Sequence, residues 1–185
     1  SNVCVCGGNL FDENLNHIHS FSLRFPGIYT ELDAILNGKL SKLKQNNTLQ
    51  YNTENYPMQV AYICGAGMMV KASVLEEVGV FDPDFFLYFE ETELSFRIKK
   101  QGYVLFNVPQ AKIIHLEGAS QTSSKSKLTF YNASRKKYYK KRYNLFKFFF
   151  VSCLFRLKCL IGLFKNVLVF DMVKIKMWYY NLMTF

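Results

Sequence analysis

Apolar and polar positions divide the chain into a front part of short mixed elements and a back part of long helical ones. "VCVCGGNLFD" reads as a short buried strand ended by Gly7-Gly8. From Asn9 to Tyr56 the signals are weaker. There "ELDAILNGKLSKL" predicts a short helix and "KQNNTLQYNTENYP" a polar loop. "MQVAYICGAGMMVK" reads as a strand broken or bulged around Gly65-Ala66-Gly67. "ASVLEEVG" predicts a helix closed by Gly79, and "FDPDFFLYF" a loop that pins down large aromatics. "EETELSFRIKKQG" then predicts a helix with well-marked ends. Acids fill its first turn, Arg97, Lys99 and Lys100 its last, and Gly102 follows. Leu94 and Ile98, four apart, share its core face. "YVLFNVP" and "AKIIHLEG" read as two further strands. The expected class is mixed α/β followed by C-terminal amphipathic helices.

Charge sharpens the division. Residues 1 to 124 carry nine Lys/Arg against thirteen Asp/Glu, a net of −4, whereas residues 125 to 185 carry fourteen against one, a net of +13. The expected domains are therefore 1–124, a mixed body, and 125–185, a basic and aromatic-rich helical tail. Such asymmetry points to an anionic partner for the tail, either a membrane surface or a nucleic acid. In "SRKKYYKKRYNLFKFFFVSCLFRLKCLIGLFKNVLVF" the longest uncharged run, Phe148 to Phe155, is eight residues. A membrane-crossing helix needs about 20 apolar residues, so a clean span is not expected. At 100° per residue Lys147, Lys158 and Lys165 fall nearly on one line, with Arg156 opposite and a wide apolar face between them. That pattern fits a helix lying on an anionic membrane surface through residues 135–170, with packing on the protein's own body or on a second copy as the alternative. Nucleic acid is the weaker partner: cations mix with stackable tyrosines in "SRKKYYKKRY", but a strongly apolar segment follows at once.

Half of the residues are hydrophobic, enough for a proper core. The start Ser-Asn-Val, without a methionine, is expected of a piece excised from a longer protein. The five cysteines show no metal-type CxxC pair, and reduced thiols in a cytoplasmic protein are expected. His17 and His19 share a strand face with no further ligand candidate near them in sequence. Asp82 and Asp84 flank Pro83 and are expected to organise a turn. Glu90, Glu91 and Glu93 admit two readings from sequence: favourable charges at a helix start, or a catalytic carboxylate.

The ordered string "GAGMMVKASVLEEVGVFDPDFFLYFEETELSFRIKKQGYVLFNVPQAKIIHLEGAS", Gly65 to Ser120, resembles the C-terminal half of family 2 glycosyltransferases of the GT-A fold, most of all bacterial rhamnosyltransferase-type enzymes of surface polysaccharide synthesis. The resemblance implies the acceptor-side portion of a nucleotide-sugar transferase that is probed by two chemical needs. One is a carboxylate base for the acceptor hydroxyl, and the other is a cation on the leaving diphosphate. It implies Glu91 as the base, with Glu where the family usually has Asp. Glu90, Glu93, Asp82, Asp84 and Tyr88 would frame the acceptor site. It implies His115 as a ligand of a divalent metal, Mn2+ or Mg2+, with a D-x-D expected upstream. The implied partners are a nucleotide-sugar donor and a glycan or lipid-linked acceptor. The implied location is cytoplasmic and peripheral, on the inner face of the cell membrane. The chain alone is expected to be inactive, because the donor-binding half is missing. The rival class is a non-catalytic membrane-surface or nucleic-acid binding module.

Overall fold

The structure is a computed structural model that describes residues 2–43, 50–116 and 124–185. The polar stretch 44–49 and the motif's end at 117–120 lie outside the described residues. The chain forms two compact units. One comprises Ser1–Phe25 and Asn47–Thr122, the other Pro26–Asn46 and Ser123–Phe185. The segment 26–46, read from sequence as part of the mixed body, thus belongs to the helical unit.

The first unit is built on a four-stranded sheet. Its strands are β1 (Val3–Phe11), β3 (Met58–Val60), β5 (Met68–Val70) and β6 (Val104–Ile114), in the order β3-β6-β1-β5. β1 and β6 run parallel, and β5 and β3 pair antiparallel at the two edges. A two-stranded antiparallel sheet joins β2 (Phe21–Ser22) to β4 (Tyr62–Ile63). β1 is central, which is why it is apolar on both faces. Two helices, α3 (Ala72–Val78) and α4 (Glu90–Lys100), complete this unit. Leu94 and Ile98 of α4 pack into a core with Val5, Phe21, Ile63, Val74 and Leu105.

Two sequence expectations change here. β1 does not end at Gly7-Gly8 but runs through them, and the two strands expected across Pro109 are the single strand β6. One irregularity accounts for both. Gly8 pairs with Val108 and the next residue, Asn9, with Lys112, so residues 109–111 bulge out of register. A bulge tolerates a proline, because its missing N–H is not needed for the ladder. The bulge brings the Ala111 carbonyl so close to Gly8 that any Cβ there would collide with it. The glycines are therefore a requirement of the strand and not its terminator. Buried Asn107 secures the spot, its Nδ2 donating to the carbonyls of Gly7 and Gly8 at 3.3 and 3.0 Å.

The second unit is helical: α1 (Ile28–Ile35), α2 (Lys39–Leu43), α5 (Ser124–Arg142), α6 (Leu145–Leu168) and α7 (Met172–Thr184). α6 and α7 form a hairpin whose starts are capped by Asn144 and Asp171, each accepting from the backbone N–H three residues on. Fully buried Glu31 on α1 sits among cations. Its carboxylate is 2.7 Å from the Arg135 guanidinium and 2.6 Å from the Lys158 ammonium, and it accepts from the Tyr139 hydroxyl at 2.8 Å. Both cations also lie over the Phe155 ring, at 4.8 and 4.5 Å from its centroid. Lys158, expected on an outer cationic stripe with Lys147 and Lys165, therefore points inward. The carboxylate that draws it there comes from a segment too distant in sequence for a helix wheel to register.

Candidate active site

α4 begins in an unusual way. Tyr88 and its N-cap Phe89 both have φ of 66°, the left-handed region that bulky residues rarely enter. Two such residues in succession cost roughly 1–3 kcal/mol each and persist only where packing over-determines them, commonly at sites of function. Here the packing comes from Phe85 and Phe89, which are buried and anchor the "FFLYF" loop, while Phe86 stays exposed. Phe89 has no side-chain acceptor to offer the first turn of α4. That turn instead carries the three acids.

Their roles differ. Glu93 accepts from Arg97 Nε at 2.9 Å with both oxygens. Arg97 in turn donates to the carbonyls of Val78, Gly79 (3.2 Å) and Val80 (2.7 Å) at the end of α3. Glu93 and Arg97 are thus a brace between the two helices, a role for Arg97 that sequence reasoning missed. No local spacing reveals it, since the carbonyls lie 17 to 19 residues away.

Glu91 is held differently. Thr92 Oγ1 donates to its Oε1 at 3.1 Å. Gly65, in a 3-10 turn between β4 and β5, closes over its stem: a Cβ on Gly65 would lie 3.7 Å from Glu91 Cβ. Burial, and then the neighbouring Glu90 carboxylate, raise the Glu91 pKa from its ordinary 4.5 to about 7. The helix N-terminus by itself favours the ionised acid. That effect is about 0.3–1 kcal/mol, less than one pKa unit, and burial outweighs it. One Glu90 oxygen, Oε2, is buried without a hydrogen-bond partner.

Asp82 and Asp84 form the expected turn, the Asp84 N–H donating to Asp82 Oδ1 at 3.0 Å. His115 follows the end of β6, half-buried, with its backbone N–H donating to the Phe11 carbonyl at 2.8 Å. Among the described residues no group of three His, Cys, Asp or Glu side chains is arranged to hold a metal ion. His17 is occupied by stacking, 4.2 Å from the Tyr51 ring and 4.4 Å from Phe11. It also lines an open cavity of about 390 Å3 with Asn9, Asn52, Glu54, Gln110 and Lys112. Glu91 is not in that lining, so the cavity is distinct from the carboxylate site.

A family model described as "Glycosyl transferase family group 2" matches residues 38–185. Among curated proteins, an N-acetylglucosaminyl-diphospho-decaprenol L-rhamnosyltransferase of Mycobacterium tuberculosis is 34% identical over 56 residues, which are 30% of this chain and 18% of that protein. The low-salt glycan biosynthesis hexosyltransferase Agl10 of Haloferax volcanii is 30% identical over 67 residues, 36% of this chain and 22% of its own. The matched stretches thus span about a fifth of each relative. A crystal structure of GalNAc-T7 with UDP, GalNAc and Mn2+ aligns with 76% of this chain and 29% of its own, at 19% identity and a TM-score of 0.38. With the family model covering most of the sequence, α4 and its acids included, the chain belongs to glycosyl transferase family group 2.

Proposed function

We propose that the protein transfers a sugar from a nucleotide-sugar donor to a glycan or lipid-linked acceptor of surface polysaccharide, with inversion at the anomeric carbon and Glu91 as the base. The observation that carries this reading is the place of Glu91 in the family-matched segment, at the start of α4 beneath Gly65, where burial raises its pKa to about 7. A base is most effective when its pKa lies near the working pH. In this reaction the Glu91 carboxylate takes the acceptor hydroxyl proton as that oxygen bonds to the anomeric carbon. The bond from that carbon to the diphosphate breaks on the opposite side, and the nucleoside diphosphate leaves with the electron pair. Burial, with repulsion from Glu90 second, keeps Glu91 basic, and the strained Tyr88-Phe89 pair fixes where the helix start points. A lipid-linked acceptor is supported by the Mycobacterium tuberculosis relative, an N-acetylglucosaminyl-diphospho-decaprenol L-rhamnosyltransferase.

A divalent metal, Mn2+ or Mg2+, would neutralise the leaving diphosphate. His115 is the side chain this chain would offer it, and the described residues supply no complete ligand set. The 185-residue chain by itself is proposed to be inactive. The test is Glu91→Gln in the complete enzyme, assayed by release of nucleoside diphosphate. A fall of about 10²–10⁴-fold in kcat is expected of a lost general base. Near wild-type turnover would remove Glu91 from the mechanism, whereas absence of turnover in the wild-type complete enzyme would favour the non-catalytic reading.

A further inference from the structure

The α6 helix is 24 residues long, about 36 Å at 1.5 Å per residue. Its inward face holds Val151, Ser152, Leu154, Phe155, Cys159 and Gly162. The opposite face is exposed and apolar along nearly the whole length. Phe146 is 79% exposed, Phe149 64%, Leu160 51% and Phe164 66%. At 100° per residue these four lie within about 40° of the direction of exposed Cys153, so they form one stripe. Arg156 is the one charged residue near that stripe, at its edge. Lys147 and Lys165 lie together about 120° round the helix, on one flank. The turn into α7 continues the surface, with Val169 and Phe170 69% and 86% exposed.

A stripe of this size on a free surface marks an interaction site. Its surroundings identify the partner. Residues 125–185 carry fourteen Lys/Arg and one acidic residue. A second copy of this chain would bring two such cationic tails together, whereas an anionic bilayer meets both the apolar stripe and the charge. Among the described residues no helix is long and apolar enough to cross a membrane. The geometry points to α6 lying flat in the interface of an anionic bilayer. Its Phe146–Phe164 stripe enters the acyl boundary and Lys147, Arg156 and Lys165 reach the head groups. This seats the protein peripherally on an anionic bilayer surface, and it does not depend on the role of Glu91.

The test is co-sedimentation of the full chain with phosphatidylcholine vesicles, with and without phosphatidylglycerol, together with a fluorophore on Cys153 and brominated lipid as quencher. Binding is expected with phosphatidylglycerol, weakening with salt, and the bound label should be quenched. Phe149→Glu with Phe164→Glu should weaken binding about ten-fold or more. Lys147→Gln with Lys165→Gln should selectively reduce the dependence on phosphatidylglycerol. The single tryptophan, Trp178, packs against Gly162 across the hairpin, so its emission verifies that the variants keep their fold. The proposal is overturned by failure of the wild-type chain to bind, by an unquenched bound label, or by binding that survives the double glutamate change in a folded variant. A dimer in light scattering that protects Cys153 and leaves the vesicles unbound would assign the stripe to a second copy instead.

Discussion

Lys158 Nζ lies 2.6 Å from Glu31 Oε2, and the two residues are 127 positions apart. The contact fastens α1 to α6, while Arg135 brings α5 to the same carboxylate. Burial lowers the Lys158 pKa, with repulsion from Arg135 acting the same way and Glu31 opposing. Removing the acid leaves two buried cations facing each other. Glu31→Ala is expected to cost about 3–5 kcal/mol, read as a lower midpoint in urea denaturation. Replacing Glu31, Arg135 and Lys158 together by apolar residues of similar volume should cost far less. Equal losses for both variants would mean that the charges themselves do not organise this unit.

Glu91 links function to pH. Transfer by the complete enzyme should rise with pH and level off above about 7, as the raised carboxylate ionises. Glu91→Gln should abolish that limb of the rate profile. A limb unchanged in the variant would assign the titration to another group.

The same shift predicts a stability effect of opposite sense. The folded pKa of Glu91 lies above its unfolded value, so the unfolded chain binds fewer protons between 4.5 and about 7. Stability from this group is therefore greatest at low pH and falls as pH rises through that window. Glu91→Gln should be more stable than wild type above pH 7, with the difference vanishing below about pH 4.5. Denaturant midpoints measured across this range decide it.

Arg97 should resist conservative exchange. A lysine cannot reproduce a paired bond to Glu93 together with bonds to three carbonyls at the end of α3. Arg97→Lys is expected to cost about 1–3 kcal/mol in chemical denaturation. A cost within error would show that the brace contributes nothing net.

Gly8→Ala tests the bulge in β6. The obstruction at Gly8 is the Ala111 backbone, which cannot turn aside as a flexible side chain would. A loss of about 1–3 kcal/mol is expected, seen as a lower thermal midpoint. An unchanged midpoint would mean that the bulge shifts freely.

Local pattern was enough for some of this molecule. α4 starts and stops where its acids and basic last turn place it, and Gly79 and Gly102 take positive φ just past the helix ends. Leu94 and Ile98 reach the core because a four-residue interval repeats on one helix face. The turn at Asp82 to Asp84 is equally local. Each of these rests on groups a few residues apart, whose geometry the backbone fixes alone. Tertiary structure decided what depends on distant partners. Pro109 ended a strand on paper, but the pairing of β1 with β6 absorbs it in a bulge. Lys158 belonged to an outer stripe by helix geometry, but the buried Glu31 draws it inward. By charge and spacing alone the three acids looked alike, and only the family resemblance singled out Glu91. Arg97 occupies Glu93, whereas desolvation and Glu90 raise Glu91, because the cost of burying a charge depends on what surrounds it in space and not along the chain.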